Sequence, residues 1–402
     1  MRDDWTVTTL GMVTTHFRGT VKVEDGVPYP ASGVMMEGRG LIDREPFIGG
    51  VSGYKKLTPI APGQLVLRSI TAWEAPITVV PEGYMGRHVS GVFPVLNLDE
   101  GQLNPGFMRL ICQWPVFWNE MRMRATGSVL RRKTLSANQL QQIPLNLPPL
   151  VEQKRIVDVV SSLDAYIDAL QQQVNTARIS RNAVLHDLLT AGGDDWTEST
   201  LGDIAKCAGG TGFPHVFQGG ESGTPFVKVS DMNEPGNERY LNSSKNYLSK
   251  EAIKSLGARV WPKGTIVFAK VGAALLTEKR RILVEDTIFD NNIMGLVPKA
   301  LIESHFLYLF METVKLGNYV QPGAVPSINN SIVSEIEINL PPLSEQNRIV
   351  EIVSSMDEVV QSTEKALAAS KSLRSGLLSD LLSGEHEIPA SYDSLLGAAC
   401  AN

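Results

Sequence analysis

Apolar residues in the middle of this chain recur at alternating steps of four and three, at Ile156, Val160, Leu163, Ile167, Leu170, Val174, Ala177, Val184 and Leu188. That rhythm keeps one stripe of a helix turned toward a partner, and it predicts a long coiled-coil helix interrupted at Arg181. The same register returns later at Ile349, Val353, Met356, Val360, Leu367, Leu377 and Leu381, with Thr363, Ser370 and Arg374 at weaker positions. The two stretches are copies. LPPLVEQKRIVDVVSSLDAYIDAL begins at Leu147 and LPPLSEQNRIVEIVSSMDEVVQST at Leu340, every shared landmark being displaced by 193 residues. Constancy over roughly forty residues marks a duplicated unit.

Each helix is announced by a proline pair, Pro148-Pro149 and Pro341-Pro342, which breaks a strand ladder and fits just ahead of a helix start. In the second copy Ser344 can cap, and Glu345 stands where the helix dipole favours an anion. Gly192-Gly193 and Gly384 supply residues tolerant of positive φ at the far ends. A helix of about 33 residues would be roughly 50 Å long. It cannot bury its stripe alone. Because each copy follows its own domain, an antiparallel pair is expected, with separate docking on a neighbouring domain or another subunit as the alternative. Arg181 and Arg374 share one seam position, suited to a guanidinium that reaches solvent or pairs with a facing carboxylate. Docking of a partner is the second reading of these arginines.

The duplication extends beyond the helices. The chain opens with Trp5-x4-Leu10-Gly11, and Trp196-x4-Leu201-Gly202 repeats that frame 191 residues later. Short β-rich runs follow in both halves: Gln64 to Ile70, Ile77 to Val80 and Val89 to Leu98 first, then Pro225 to Val229, Gly264 to Lys270, Arg281 to Val284 and Ile293 to Val297. Helices are predicted over 105–123, 249–256 and 303–316. The aromatics of the first, Phe107, Trp114, Phe117 and Trp118, read as core before they read as a base-stacking platform. Leu135, Leu140, Ile143 and Leu145 rejoin Ile328, Val333, Ile336 and Ile338 at the 193 offset, leaving three extra residues in the first copy, placed at Arg131-Arg132-Lys133. Three cations there suggest function; a solvated turn is the alternative. The tail, 385–402, shows no periodicity and reads either as docked through Leu395-Leu396 or as unstructured.

Net charge is −6, unpromising for a nucleic-acid binder until resolved by position. Residues 109–133 carry a local balance of +5 and residues 245–281 one of +7, leaving −18 for the remainder. Each half therefore owns a basic block. No apolar run approaches a membrane span and the N-terminus lacks a signal core, which points to the cytoplasm and to no membrane partner. Cys112, Cys207 and Cys400 are too scattered for a disulfide framework or a zinc site. There is no phosphate loop, no strand-GxGxxG-helix frame, no HExxH and no Gly-x-Ser-x-Gly elbow, and Gly209-Gly-Thr-Gly212 fits none of them. Leu147-Pro-Pro-Leu150 lacks the polar first residue and the terminal aromatic of an amino-methyltransferase loop. These absences argue against an enzyme, with no catalytic, cofactor or metal site expected in this chain.

The doubled Leu-Pro-Pro-Leu-x-Glu-Gln-x-Arg-Ile-Val helix, each copy preceded by a β-rich domain opening Trp-x4-Leu-Gly, resembles the specificity subunit of type I restriction–modification enzymes. Pro225-Phe-Val-Lys-Val-Ser-Asp-Met-Asn233 and Pro262-Lys-Gly-Thr-Ile-Val267 also look like strands of that family. The resemblance implies an α+β architecture of two pseudo-repeated mixed α/β target recognition domains, 1–147 and 193–340. They are joined by spacer helices, 148–192 and 341–384, that form an antiparallel coiled coil, with 385–402 as a tail. Each domain would read one half of a bipartite site in double-stranded DNA, and the helices would set the spacing. Two modification subunits using S-adenosylmethionine, and restriction subunits using ATP and Mg, would dock on this non-catalytic chain. Expected DNA contacts are Arg68, Arg122, Arg124, Arg131, Arg132 and Lys133 in the first domain, and Lys270, Lys279, Arg280 and Arg281 in the second. The competing reading is a two-domain coiled-coil scaffold that joins protein partners without touching DNA.

Overall fold

The computed structural model describes residues 4–321 and 323–393. The chain divides into two units, Met1–Gln171 with Lys365–Asn402, and Gln172–Glu364. Each long helix thus contributes one half to each unit.

Both units are built on one plan. In the first, Thr6–Thr9 pairs antiparallel with Pro144–Leu147, Thr6 lying opposite Leu147. In the second, Thr197–Thr200 pairs with Glu337–Leu340, Thr197 lying opposite Leu340. The central sheet of the first unit runs Thr14–His16, Val95–Leu98, Leu65–Leu67, Ile77–Val79. Its counterpart runs Ala205–Gly209, Ile293–Pro298, Ile266–Ala269, Arg280–Leu283, with Tyr240–Leu241 added in parallel at the edge. Gly63 (φ 82°) and Gly264 (φ 83°) make the same left-handed turn into the central strand, a conformation that costs other residues a steric clash. A helix, Pro105–Cys112 or Ser304–Thr313, packs against the sheet and fills the core. Where the units differ is the outer sheet. The first has five strands in the order Val21–Lys22, Lys56–Pro59, His88–Val89, Pro28–Val34, Leu41–Ile48; the second has three, Tyr247–Leu248, Thr224–Val227, Ile288–Phe289.

Several local expectations are corrected. The helix read over 105–123 is two, Pro105–Cys112 and Pro115–Arg124, because Pro115 has no N–H to continue the ladder. Phe107 and Phe117 are buried in the core and Trp114 and Trp118 pack on it, the Trp118 Nε1 donating to the Cys112 carbonyl at 2.7 Å. The run from Val89 to Leu98 is two strands, parted by a turn in which Phe93 N–H donates to Ser90 O. The stretch from Asn104 to Leu135 is six residues longer than its counterpart from Glu303 to Ile328. The basic insertion is therefore only part of the surplus, and the helix Pro115–Arg124 lies in the same stretch.

The long helices span Leu150–Thr190 and Leu343–Ser383, 41 residues each, longer than their seams because both begin within two residues of the proline pair and run past the last seam leucine. Each is about 60 Å long at 1.5 Å per residue. The repeated Glu-Gln explains how each is fastened. Gln153 is fully buried; its amide donates to Gln102 O (2.8 Å) and Pro148 O (2.9 Å) and accepts from Asn104 N–H (2.8 Å). Gln346 does the same with Leu301 O (3.0 Å), Pro341 O (2.8 Å) and Glu303 N–H (2.8 Å). One neutral, buried side chain satisfies three backbone groups in each copy.

The seam arginines carry the pairing. In the second unit Arg181, 8% exposed, donates to Asp357 (2.8 Å) and to Glu312 (2.7 Å). In the first, Arg374 binds Asp164 in a fork and donates to Gln113 at 2.7 Å. Burial by itself would lower the Arg181 guanidinium, but its bonds to Asp357 and Glu312 outweigh that and hold it above the usual arginine range. Late residues of one helix thus face early residues of the other in both units, which is the antiparallel coiled coil. Gly192 (φ 67°) and Gly384 (φ 76°) end the helices in the left-handed conformation. A Cβ on Gly384 would lie 3.5 Å from the Trp5 ring, and one on Gly193 would lie 2.9 Å from Trp196, so each opening tryptophan packs at a helix end. The tail docks as far as it is described: Ile388 enters the first unit's core and Asp393 takes a two-bond fork from Arg155 (2.7 and 2.5 Å). Leu395-Leu396 and Cys400 lie outside the described residues.

Replacing Gln153 or Gln346 by alanine leaves one buried carbonyl and two part-buried backbone groups unpaired, and each change is expected to lower stability by about 1–3 kcal/mol. Urea unfolding followed by tryptophan fluorescence checks this; a loss under about 0.5 kcal/mol would show that water replaces the amide at no penalty.

Candidate nucleic-acid interface

In each unit the central strand runs out into a loop held by the same backbone bonds. After Leu65–Leu67, Ser69 N–H donates to Val92 O (2.9 Å), Leu135 N–H donates to Ser69 O (2.9 Å), and Ile70 bridges Thr134. After Ile266–Ala269, Lys270 N–H donates to Asn292 O (2.8 Å), Ile328 N–H donates to Lys270 O (3.0 Å), and Val271 bridges Ser327. Short helical turns follow, Ala72–Glu74 and Leu275–Thr277. Thr71 (φ 56°), Ala75 (φ 46°) and Glu278 (φ 57°) sit in left-handed conformations that non-glycine residues seldom adopt. Such backbone costs about 1–3 kcal/mol per residue and persists where surroundings enforce it. Here Glu74 braces the first loop, accepting from Thr71 Oγ1 at 3.2 Å and pairing with Arg68.

The expected contact residues separate into three groups. Arg131 and Arg132 are exposed on the turn Leu130–Arg132, and half-buried Lys133 joins Trp73, Arg122 and Leu130 around a hollow of about 210 Å³. The Lys133 carbonyl accepts from Ala72 N–H at 3.0 Å, which fixes this segment beside the strand-end loop. Lys270 is half-buried at the equivalent edge, and half-buried Lys279 is bonded to Asn233. A second group is engaged internally while still reaching the surface: Arg68 with Glu74, Arg124 with Glu120, and Arg122 with Glu37 (2.9 Å) and the Trp73 carbonyl (2.9 Å).

Arg280 and Arg281 form the third group, and for them the expectation of a DNA-facing surface is corrected. They are 4% and 7% exposed. Arg280 is bonded to Glu278 and the Val314 carbonyl, and Arg281 donates to the Met232 carbonyl at 2.7 Å. Their strand lies between the central strand and Tyr240–Leu241, so their guanidiniums brace loops from inside. Burial pulls the Arg281 guanidinium below its ordinary value, the cost of a desolvated cation without a partner carboxylate bond.

Residues not singled out from sequence lie on the same edge. Asn292 is exposed, and its N–H donates to the carboxylate of Asp290 at 2.7 Å. Asp290 N–H in turn donates to Val227 O at 2.9 Å, which brings Lys228 alongside. Burial raises the Asp290 carboxyl above the usual range, against the Asn292 bonds and the Lys228 charge, and neighbouring Asp231 adds to the rise. The glycine-rich Gly209-Gly-Thr-Gly212 belongs here too: a Cβ on Gly210 would stand 2.0 Å from the Asp290 carbonyl, so the run is a close backbone approach. Elsewhere in this unit a hollow of about 980 Å³ is lined by Arg181, Arg239, Tyr308, Glu312 and Asp357, whose charges are largely spent on one another. Among the described residues no cluster of metal-ligating side chains occurs, and no helix is long and apolar enough to cross a membrane.

Because the folded state raises the Asp290 pKa, the stabilisation from its protonation is fully present below the ordinary 3.8 and lost as pH rises through the raised value. Asp290→Asn is therefore expected to raise the melting temperature of the second unit at pH 7 and to leave it nearly unchanged at pH 3.5. Calorimetry at both values checks it; a lower melting temperature at pH 7 would mean that the Lys228 charge outweighs burial.

Three comparisons bear on these units. The chain matches the family described as type I restriction modification DNA specificity domain over residues 126–177 and 193–369. It is 26% identical over 184 residues to the type I restriction enzyme MjaIX specificity subunit of Methanocaldococcus jannaschii, covering 42% of this chain and 40% of that one. It is 24% identical over 262 residues to the EcoR124I/EcoR124II specificity subunit of Escherichia coli, covering 61% and 62%. The matches thus span about two fifths to three fifths of those relatives. The fold is that of the HsdS subunit of Thermoanaerobacter tengcongensis (TM-score 0.54, 17% identity, 96% of this chain and 98% of that one). A chain solved in work on complex assembly and conformational transition of the type I R-M system agrees more closely (TM-score 0.65, 17% identity, 95% and 98%).

Proposed function

The chain belongs to the type I restriction modification DNA specificity domain family, and from that premise we propose that it is the sequence-reading subunit of a type I restriction–modification complex. Each unit binds one half of a bipartite site in double-stranded DNA. The antiparallel helices set the interval between the halves. The chain performs no reaction of its own; modification subunits carrying S-adenosylmethionine and restriction subunits carrying ATP and Mg supply the chemistry, in the cytoplasm.

The observation that carries this reading is the twin edge: two units with superposable strand pairings present a loop at the same place, each beside a basic block. A reader used twice needs a scaffold that stays constant and an edge that varies. Arg131, Arg132 and Lys133 in the first unit, with Lys279 in the second, are the cations we assign to phosphates, while Lys270 meets the duplex at the strand end. Arg68, Arg122 and Arg124 are tied to carboxylates and orient the loop more than they contact the duplex. The scaffold reading without DNA leaves the basic segment at 131–133 with no work to do.

Duplex binding by the assembled complex is expected to weaken steeply with salt, and Arg131→Ala with Arg132→Ala to reduce the slope of log affinity against log salt by about 2. A slope unchanged by the double substitution would remove these residues from the interface. Deleting one heptad from each helix between the two arginine–aspartate pairs shortens a rod by about 10 Å. The unread gap of the methylated motif is then expected to change by about three base pairs with both half-site sequences intact; an unchanged gap would end the spacing role.

A further inference from the structure

The strand pairings equate residues that no constant sequence offset aligns. Ser90 and Asp290 each accept the N–H of the third residue on, Phe93 and Ile293, which equates Val92 with Asn292. Ser69 and Lys270 donate to those two residues' carbonyls, so Ser69 and Lys270 are equivalent. Across the sheet, Leu96 pairs with His16 and Leu296 with Cys207, which equates Arg18 with Gly209 two residues on. On one backbone, then, the first unit carries Arg18, Ser69 and Val92 where the second carries Gly209, Lys270 and Asn292.

The exchange is compensated in space. The Lys270 Nζ lies 3.3 Å from where a Cβ on Gly209 would be, so its side chain crosses the end of the intervening strand and sets its ammonium over that glycine. Arg18 starts from the same spot in the first unit and is exposed. Each unit thus has a cation at this position of the edge, Arg18 rooted there in the first and Lys270 reaching over it in the second, from opposite sides of the same strand. Beside it stands Asn292, exposed, its backbone held by Asp290, or Val92, 40% exposed and apolar. Packing does not require these differences, since the backbone is unchanged.

Resting on the DNA-reading function above, we propose that Lys270 and Asn292 read bases of the second half-site, and that Arg18 and Val92 read the first. The chemistry is that of the major groove. A lysine or arginine offers donors to guanine O6 and N7, asparagine makes a paired contact with adenine N6 and N7, and an apolar side chain meets the thymine methyl. Asp290 is a positioning residue, acting through the Asn292 backbone. The two units would accordingly share a preference at the cation's base and part company at its neighbour.

The test exchanges residues that this backbone already accepts. The complex of the full chain with its modification subunits carries either Lys270→Ser with Asn292→Val, or Arg18→Gly, Ser69→Lys and Val92→Asn, and methylated adenines are mapped genome-wide. The first set is expected to relax or change one or two positions of the second block, costing roughly ten- to hundredfold in preference for the original base, with the first block and the gap unchanged. The second set is expected to do the converse. Both blocks unchanged in a complex that still methylates overturns the proposal and leaves the DNA-reading function standing. So does a uniform loss of affinity across all sequences, the signature of a phosphate contact. Absence of any bipartite motif with the unaltered chain overturns the function itself, and the assignment with it.

Discussion

The register between the two long helices is fixed by a reciprocal set of two ion pairs. Each copy supplies an aspartate near the start of its helix and an arginine near the end, and antiparallel pairing seats Arg181 on Asp357 and Arg374 on Asp164. A parallel pairing, or a slip of one heptad, would part each arginine from its aspartate, and the loss is greater at Arg181, which is buried, than at Arg374, whose partner Asp164 meets solvent. Interior ion pairs add little net stability compared with apolar residues, but breaking them is severe, so their physical effect is choice of register. Glu312 and Gln113 complete the two sites from the recognition domains, tying helix register to domain position within each unit.

The buried glutamines do for each helix start what the arginines do for the seam. Gln153 and Gln346 are isosteric solutions to one problem, the meeting of a proline pair, a helix start and the loop leading into the packed helix Pro105–Cys112 or Ser304–Thr313. That explains why a motif of eleven residues reads almost identically twice while the domains that precede its copies do not. The invariant part is the joint, where the buried glutamine amide is bonded at both its oxygen and its nitrogen in each copy. The divergent part lies at the strand-end edge, where side chains meet solvent and only the backbone is held.

The seam, the proline punctuation, the opening Trp-x4-Leu-Gly frame and most central strands were legible because they depend on periodicity and on residues with fixed backbone habits. The breaks at Pro115 and at 90–94 were hidden inside runs apolar enough to look continuous. The outer hairpin of the first unit escaped notice because Pro28–Val34 and Leu41–Ile48 pair at an edge with a bulge and no clean alternation, whereas the second unit's run from Pro225 to Val229 was visible. Charge alone misplaced Arg280 and Arg281: a basic pair in a strand sequence carries no mark of the second strand that covers it. The equivalence of Lys270 with Ser69, and of Arg18 with Gly209, is visible only through hydrogen bonds, since the offset drifts between loops of unequal length.

The second helix returns its latter half to the first unit, where Leu378, Leu381 and Leu382, with Ile388 from the tail, enter the same core as Leu10 and Phe107. The second unit, by contrast, is one unbroken stretch of chain. On a ribosome, which releases residues in order, the half begun first is therefore finished last. It waits with an open groove until the far half of the second helix has been made, and nascent chains that stop just after Glu364 carry one finished lobe and one that cannot close.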